Sequence, residues 1–179
     1  IHINFKMKYL IERASAITPK DSLDDLLKNK KSLRIKLGVD PTAPDVTLGW
    51  YAILRALRKF QDYGHTAVLI LGEFTAQVGD PSGKSETRTQ LEENQIDDNS
   101  KGVLPIIKDI LNEENLEIVS NKDWLSKLST SELVHLSSST TLAQMLERDD
   151  FANRYKDGNP IALIEFFYAL FQGYGSVAV

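Results

Sequence analysis

Apolar residues gather in three short runs, Leu33–Val39, Thr66–Gly72 and Leu116–Ser120, and elsewhere recur at three- and four-residue spacing. Compact, β-branched-rich runs predict strands covered on both faces, whereas the wider spacing predicts amphipathic helices. The stretch TLGWYAILRALRKFQDYG carries the helical spacing between the first two runs. Further helical patterns occupy Met7–Asn29, with Asp21 or Ser22 as N-cap, and the segment TQLEENQIDDNSKGVLPIIKDILNEEN. From Thr130 to Tyr155 the pattern is again helical, broken at Ser137–Thr141. A last helix, NPIALIEFFYALFQGYG, places Pro160 in its first turn and stops near Gly173 or Gly175, after which Ser176–Val179 reads as a fourth strand. Strands alternating with helices predict an α/β fold with a parallel sheet between helical layers. Residues 1–32 form a helical lead-in and 33–179 one domain, without repeats or long linkers.

The loop GDPSGKSETR, Gly79–Arg88, leaves the second strand at its carboxyl end, where open α/β sheets bind ligands. It is not a Walker P-loop, because Val78 stands where that motif requires its first glycine. By itself the loop reads equally as a phosphate-handling segment or as ordinary polar surface. Lys84 and Arg88 share that ambiguity, and Tyr168 by periodicity alone is a core aromatic.

Composition removes several classes. With 179 residues and 42% hydrophobic content the chain has enough material for one packed core. No run reaches the roughly 18 apolar residues of a membrane span, so the expectation is a non-membrane, cytoplasmic protein. The absence of cysteine excludes disulfides and thiolate metal sites. His2, His65 and His135 are too scattered for a histidine metal cluster, so no metal site is expected. A net charge of −4 argues against a broad nucleic-acid-binding surface. The segment before Met7 lacks a signal-peptide pattern and reads as upstream of the natural start.

Taken together, LRIKLGVDPTAPD, the following helix, the second strand and GDPSGKSETR resemble the nucleotide-binding half of bacterial-type tyrosyl-tRNA synthetases, which are class I aminoacyl-tRNA synthetases. NKDWL, MLERDDFANRY and FFYALFQGYGSVAV extend the match over nearly the whole chain. The resemblance implies an incomplete Rossmann-like catalytic domain, with ATP as substrate alongside Mg²⁺, tyrosine as the activated amino acid, and a homodimer built through the region around Trp124 to Tyr168. It assigns Asp40, Thr75, Asp80, Tyr168 and Gln172 to the amino acid, Asp80 holding its ammonium with help from Thr75. Gly49 falls to close approach of ATP, and Lys84 and Arg88 to the leaving pyrophosphate. Transfer to tRNA would require domains beyond those seen here.

Three positions depart from the family. Its His-Ile-Gly-His-like signature falls on Thr47-Leu48-Gly49-Trp50, so both imidazoles are replaced, and Gly175 stands where the family places an aspartate that reads the tyrosine hydroxyl. Loss of that partner should erode discrimination against phenylalanine. Lys36 occupies a position that is tyrosine in one branch of the family. A fourth strand at the end of the chain would lack support on its far side, so a truncated catalytic domain, inactive alone, is expected. The altered positions keep a second reading open, a degenerate paralogue acting as a binding or interaction module.

Overall fold

The computed structural model describes residues 11–19, 26, 32–80 and 91–179. Most of the expected lead-in helix, with its Asp21 or Ser22 cap, lies outside these residues, and within it Glu12–Pro19 form turns and bends. The three expected strands are present: β1 (Arg34–Val39), β2 (Thr66–Leu71) and β3 (Leu116–Ser120), in the order β1-β2-β3. Backbone bonds Thr66 N to Leu33 O and Gly72 N to Val39 O advance equally along both chains, which makes the β1/β2 pair parallel. The fold is α/β, a three-stranded parallel sheet with helices.

The chain forms two compact units. The first comprises residues 1–37, 45–69 and 102–118. Here α1 (Leu48–Asp62) buries Leu54, Leu57 and Gln61, one stripe at helical spacing. Gln61 is a polar residue at a core position, and its amide is fully used: Nε2 donates to Asn112 O and Asn115 O at 2.8 and 2.9 Å, and Oε1 accepts from Asn112 N at 2.9 Å. These bonds fix the turn leading into β3.

His65 is also buried in this unit, and its Nδ1 accepts the Leu33 N–H at 3.2 Å. Only an unprotonated Nδ1 can accept, and burial holds the imidazole pKa below its ordinary 6.5. Between pH 6.5 and that lowered value the unfolded chain binds the proton and the folded chain does not, so stability falls as pH falls through the window. Urea midpoints at pH 7.5 and 5.5 should therefore differ in the wild type, and His65→Asn should lose the histidine's share of that difference.

The second unit comprises residues 38–44, 70–101 and 119–179, and so holds the carboxyl ends of all three strands. Its helices include α2 (Thr75–Val78), α4 (Lys122–Leu125), α5 (Thr130–Ser137), α6 (Leu142–Leu146), α7 (Asp149–Lys156) and α8 (Leu163–Ala178), while α3 (Glu93–Ile110) begins in it. The expected break at Ser137–Thr141 is present, with Ser129 and Thr141 each closing a capping box on α5 and α6.

Two expectations at the end of the chain are corrected. Ser176–Val179 is not a strand: α8 runs through it to Ala178. Glu165, Tyr168, Phe171 and Gly175 are the buried positions of this helix, an uninterrupted helical stripe whose packing overrides the stop signal of the two glycines. Pro160 is not in the first turn either, because the helix starts at Leu163, where the Glu165 carboxylate turns back to accept the Ala162 N–H at 2.9 Å. Pro160 instead offers its carbonyl to Arg154.

Candidate functional site: a polar chain at the strand ends

Four buried or half-buried side chains meet where β1, β2 and β3 end. The Thr75 hydroxyl donates to Asp40 Oδ1 at 2.7 Å and accepts from Asn121 Nδ2 at 2.8 Å. The Tyr168 hydroxyl donates to the other carboxylate oxygen, Asp40 Oδ2, at 2.9 Å. Asn121 is held in orientation by the Phe74 N–H, which donates to Oδ1 at 2.8 Å. Every donor in this chain points toward Asp40, so the network is polarised toward one carboxylate. Thr75, Asn121 and Tyr168 are 4%, 6% and 8% exposed, which makes the unpaired alternative costly.

Gly72 makes this arrangement possible. A Cβ there would stand 1.8 Å from Asp40 Oδ1 and 2.6 Å from Thr75 Oγ1, distances no side chain tolerates. Glycine is required for close approach rather than for backbone conformation. Gly72→Ala should destabilise the protein by about 1–3 kcal/mol, as overpacking does in rigid surroundings, and a urea denaturation midpoint measures it. A cost no larger than that of an exposed Gly→Ala control would mean that Asp40 moves aside freely.

The assigned residues sit as follows. Asp40, Thr75 and Tyr168 form the polar chain, and Tyr168 also joins Val78, Leu125 and Phe171 in an apolar cluster. The core-aromatic and polar-site readings of this tyrosine both hold, for opposite ends of its ring. Asp80 lies at the end of the described part of its loop, and Lys84 and Arg88 fall outside the described residues. Asp80 and Tyr168 both act electrostatically on Arg148, whose pKa is raised first by its hydrogen bonds to Asp150. Those bonds are bidentate, at 3.1 and 2.9 Å. Gln172 is exposed on α8, one turn beyond Tyr168, and Gly175 is buried a further turn along the same face.

In the first unit Thr47 is the N-cap of α1, its hydroxyl accepting the Trp50 N–H at 3.3 Å. Thr47 thus has a structural task, since such a cap contributes about 1 kcal/mol. Trp50 is half-buried, and a Cβ on Gly49 would meet nothing closer than Thr47 Oγ1 at 3.8 Å. Gly49 is therefore not demanded by packing among the described residues. Asn121, the pivot of the polar chain, received no role from the sequence, although it opens NKDWL; neither did the Arg148–Asp150 pair. Among the described residues no group of three His, Asp or Glu side chains has the geometry to hold a metal ion.

The family described as tRNA synthetases class I (W and Y) matches residues 28–179. Tyrosine–tRNA ligase of Carboxydothermus hydrogenoformans is 47% identical over 175 residues, covering 95% of this chain, and that of Thermotoga maritima is 45% identical over 174 residues, covering 97%. In both cases only 43% of the relative is covered, so the chain spans less than half the length of these curated relatives. The fold matches a C-terminally truncated mitochondrial tyrosyl-tRNA synthetase of Coccidioides posadasii with a TM-score of 0.74 at 24% identity, over 97% of this chain and 51% of that one. It matches tyrosyl-tRNA synthetase complexed with L-tyrosine from Archaeoglobus fulgidus with a TM-score of 0.73 at 17% identity, over 95% of this chain and 50% of that one. The chain belongs to the class I tRNA synthetases of the W and Y family, among the tyrosyl-tRNA synthetases.

Proposed function

We propose that this chain carries the amino-acid side of a tyrosine-activating site, in which ATP and tyrosine combine to tyrosyl-adenylate ahead of transfer to tRNA. The observation that carries the reading is the polar chain ending on Asp40. Because the Tyr168 hydroxyl donates its proton to Asp40, its phenolic oxygen can meet an ammonium only as an acceptor. Asp80 supplies the matching negative charge, and Gln172 an amide oxygen on the same helix face as Tyr168. Thr75 acts through Asp40, since its proton goes to the Asp40 carboxylate and Asn121 donates to its oxygen.

In the activation step the tyrosine carboxylate attacks the α-phosphorus of ATP, the bond from that phosphorus to the bridging oxygen breaks, and pyrophosphate leaves. Asp80, Tyr168 and Gln172 orient the nucleophile through its ammonium, while Lys84 and Arg88 neutralise charge on the departing phosphates. Gly49 allows the nucleotide to approach the start of α1. Since no described cluster fits a metal, Mg²⁺ is assigned to the ATP phosphates as part of the substrate.

Further parts of the reading concern the assembly. Residues 1–32 are a lead-in to one catalytic domain, tRNA engages only with segments beyond this chain, and the setting is cytoplasmic. Among the described residues no helix is long and apolar enough to cross a membrane. Homodimerisation is supported by Val134, Leu142 and Leu163, which are 65%, 63% and 74% exposed. A second reading, a non-catalytic binding module, draws on Thr47, whose hydroxyl caps a helix where the family places a histidine.

Equilibrium dialysis with labelled L-tyrosine tests the amino-acid site directly. Saturable binding is expected, with Asp80→Asn and Gln172→Ala each weakening it, Asp80→Asn by roughly tenfold or more because a hydrogen bond to a charged group is lost. Absence of saturable binding, or full affinity in Asp80→Asn, overturns the assignment.

A further inference from the structure

Arg148 stands immediately ahead of α7, and its guanidinium is fixed on two sides. Nε and Nη2 donate to the two Asp150 oxygens, and the guanidinium carbon lies 5.7 Å from the centre of the Phe151 ring. Phe151 is fully buried, and its ring packs on Phe166 of α8 with centroids 4.7 Å apart, two residues ahead of Tyr168. The cation is thereby set against the helix that carries Tyr168, and Asp80 and Tyr168 both act on it electrostatically. A surface ion pair between residues two apart contributes little stability by itself. Its geometry matters more than its energy. A guanidinium donates from more than one edge, and Asp150 takes only the edge formed by Nε and Nη2. Nη1 makes no hydrogen bond among the described residues, and the side chain is 42% exposed, so the end-on edge of Nη1 and Nη2 is unspent.

We propose that Arg148 is a specificity-determining residue of this site, its open edge receiving the α-carboxylate of the amino acid whose ammonium Asp80 holds. The proposal rests on the amino-acid site proposed above and adds the substrate group to which that site gives no partner. The α-carboxylate is bonded to the same carbon as the ammonium. An ammonium between Asp80 and Tyr168 therefore brings the carboxylate into the field of a cation that feels both residues. The paired end-on N–H groups match the two carboxylate oxygens, which the point charge of a lysine does not. Asp150 holds the fork in place before the substrate arrives, so little side-chain entropy is lost on binding. A carboxylate held there keeps lone pairs for the attack on ATP, because each oxygen accepts more than one hydrogen bond. Arg148 thus positions the nucleophile and Asp80 the ammonium. An amine without a carboxylate satisfies Asp80 and leaves Arg148 unmet, so the site distinguishes amino acids from amines.

Calorimetric titration of the 179-residue chain with L-tyrosine, L-tyrosinamide and tyramine tests this, since the three share the amine and the ring and differ at the carboxylate. Tyrosine is expected to bind about ten- to a hundredfold more tightly than either analogue, the range of a hydrogen bond to a charged group. In Arg148→Met that advantage should vanish while tyramine affinity is retained. A residue that merely supported the fold would weaken all three ligands in parallel. Arg148→Lys keeps the charge and loses the fork, so it should retain only part of the advantage. Tyrosine binding without any advantage over tyrosinamide and tyramine, an advantage unchanged in Arg148→Met, or parallel weakening of all three in that variant overturns the role of Arg148 and leaves the amino-acid site standing. Failure of all three compounds to bind the unaltered chain overturns both. If Arg148→Met does not fold, Arg148→Lys decides, and an undiminished advantage in that variant counts against the fork.

Discussion

Purified residues 1–179 are expected to show tyrosine-dependent exchange of labelled pyrophosphate into ATP reduced by roughly 10²–10³-fold or more against a full-length relative, the cost of removing even one charge-stabilising donor. On the proposed reading the family's two signature imidazoles fall on Thr47 and Trp50, and neither residue supplies an equivalent group. The Thr47 hydroxyl is engaged by the Trp50 N–H, and Trp50 offers at most one indole donor on a bulky ring. The relatives also carry more than half their length outside the region this chain matches. Exchange should return only in a longer chain bearing Thr47→His, Trp50→His and Gly175→Asp together. Thr47→His should cost about 1 kcal/mol of stability through the lost cap, visible as a lower urea midpoint. Robust exchange by the unaltered chain that disappears in Lys84→Ala would sink the inactive reading, because it would show that Thr47, Trp50 and Gly175 support the chemistry.

A second large effect is expected at Arg154, in the last turn of α7. Its guanidinium meets Glu165 through Nη1 to Oε2 at 2.5 Å and Nη2 to Oε1 at 3.1 Å, with side chains 4% and 3% exposed. Nη2 also donates to Pro160 O, while Nε has no partner among the described residues. Glu165 in turn accepts the first N–H ahead of α8. Removing either partner strands a buried charge, so Arg154→Met or Glu165→Leu alone should cost about 3–5 kcal/mol. For a chain of this size that lowers the thermal midpoint by about 6–20 °C. The double variant should recover most of the loss, since an apolar pair of similar volume has no charge to desolvate. Calorimetry of the three variants checks it, and single variants within 1 °C of wild type, where roughly 2–4 °C corresponds to 1 kcal/mol, would show that water reaches the pair. Because the pair ties α7 to the start of α8, which carries Tyr168, Gln172 and Gly175, its loss should also weaken tyrosine binding.

Strand positions, the helix between β1 and β2, and the break before α6 were legible in the sequence because each depends on periodicity and capping residues within a few positions. Ser129-x-x-Glu132 and Thr141-x-x-Gln144 are such signals, and both form. The site was legible only through motifs. Asp40 and Tyr168 stand 128 residues apart, and periodicity alone assigns Tyr168 to the core, where most of its ring lies. Thr75 was placed beside the substrate, yet its hydroxyl proton belongs to Asp40 and its lone pair to Asn121.

What the sequence determined by itself is the α/β character, three of the four strands it predicts, and the resemblance to the family. The tertiary structure decided the rest. Local signals end α8 at its glycines, but burial of Tyr168, Phe171 and Gly175 along one stripe is worth more than the roughly 1 kcal/mol a helical glycine costs, so the helix continues where a strand was expected. Pairings such as Arg154 with Glu165 and Asn121 with Thr75 follow from which surfaces the fold brings together. No local pattern encodes them, because a hydrogen bond is specified by geometry in space and not by spacing along the chain.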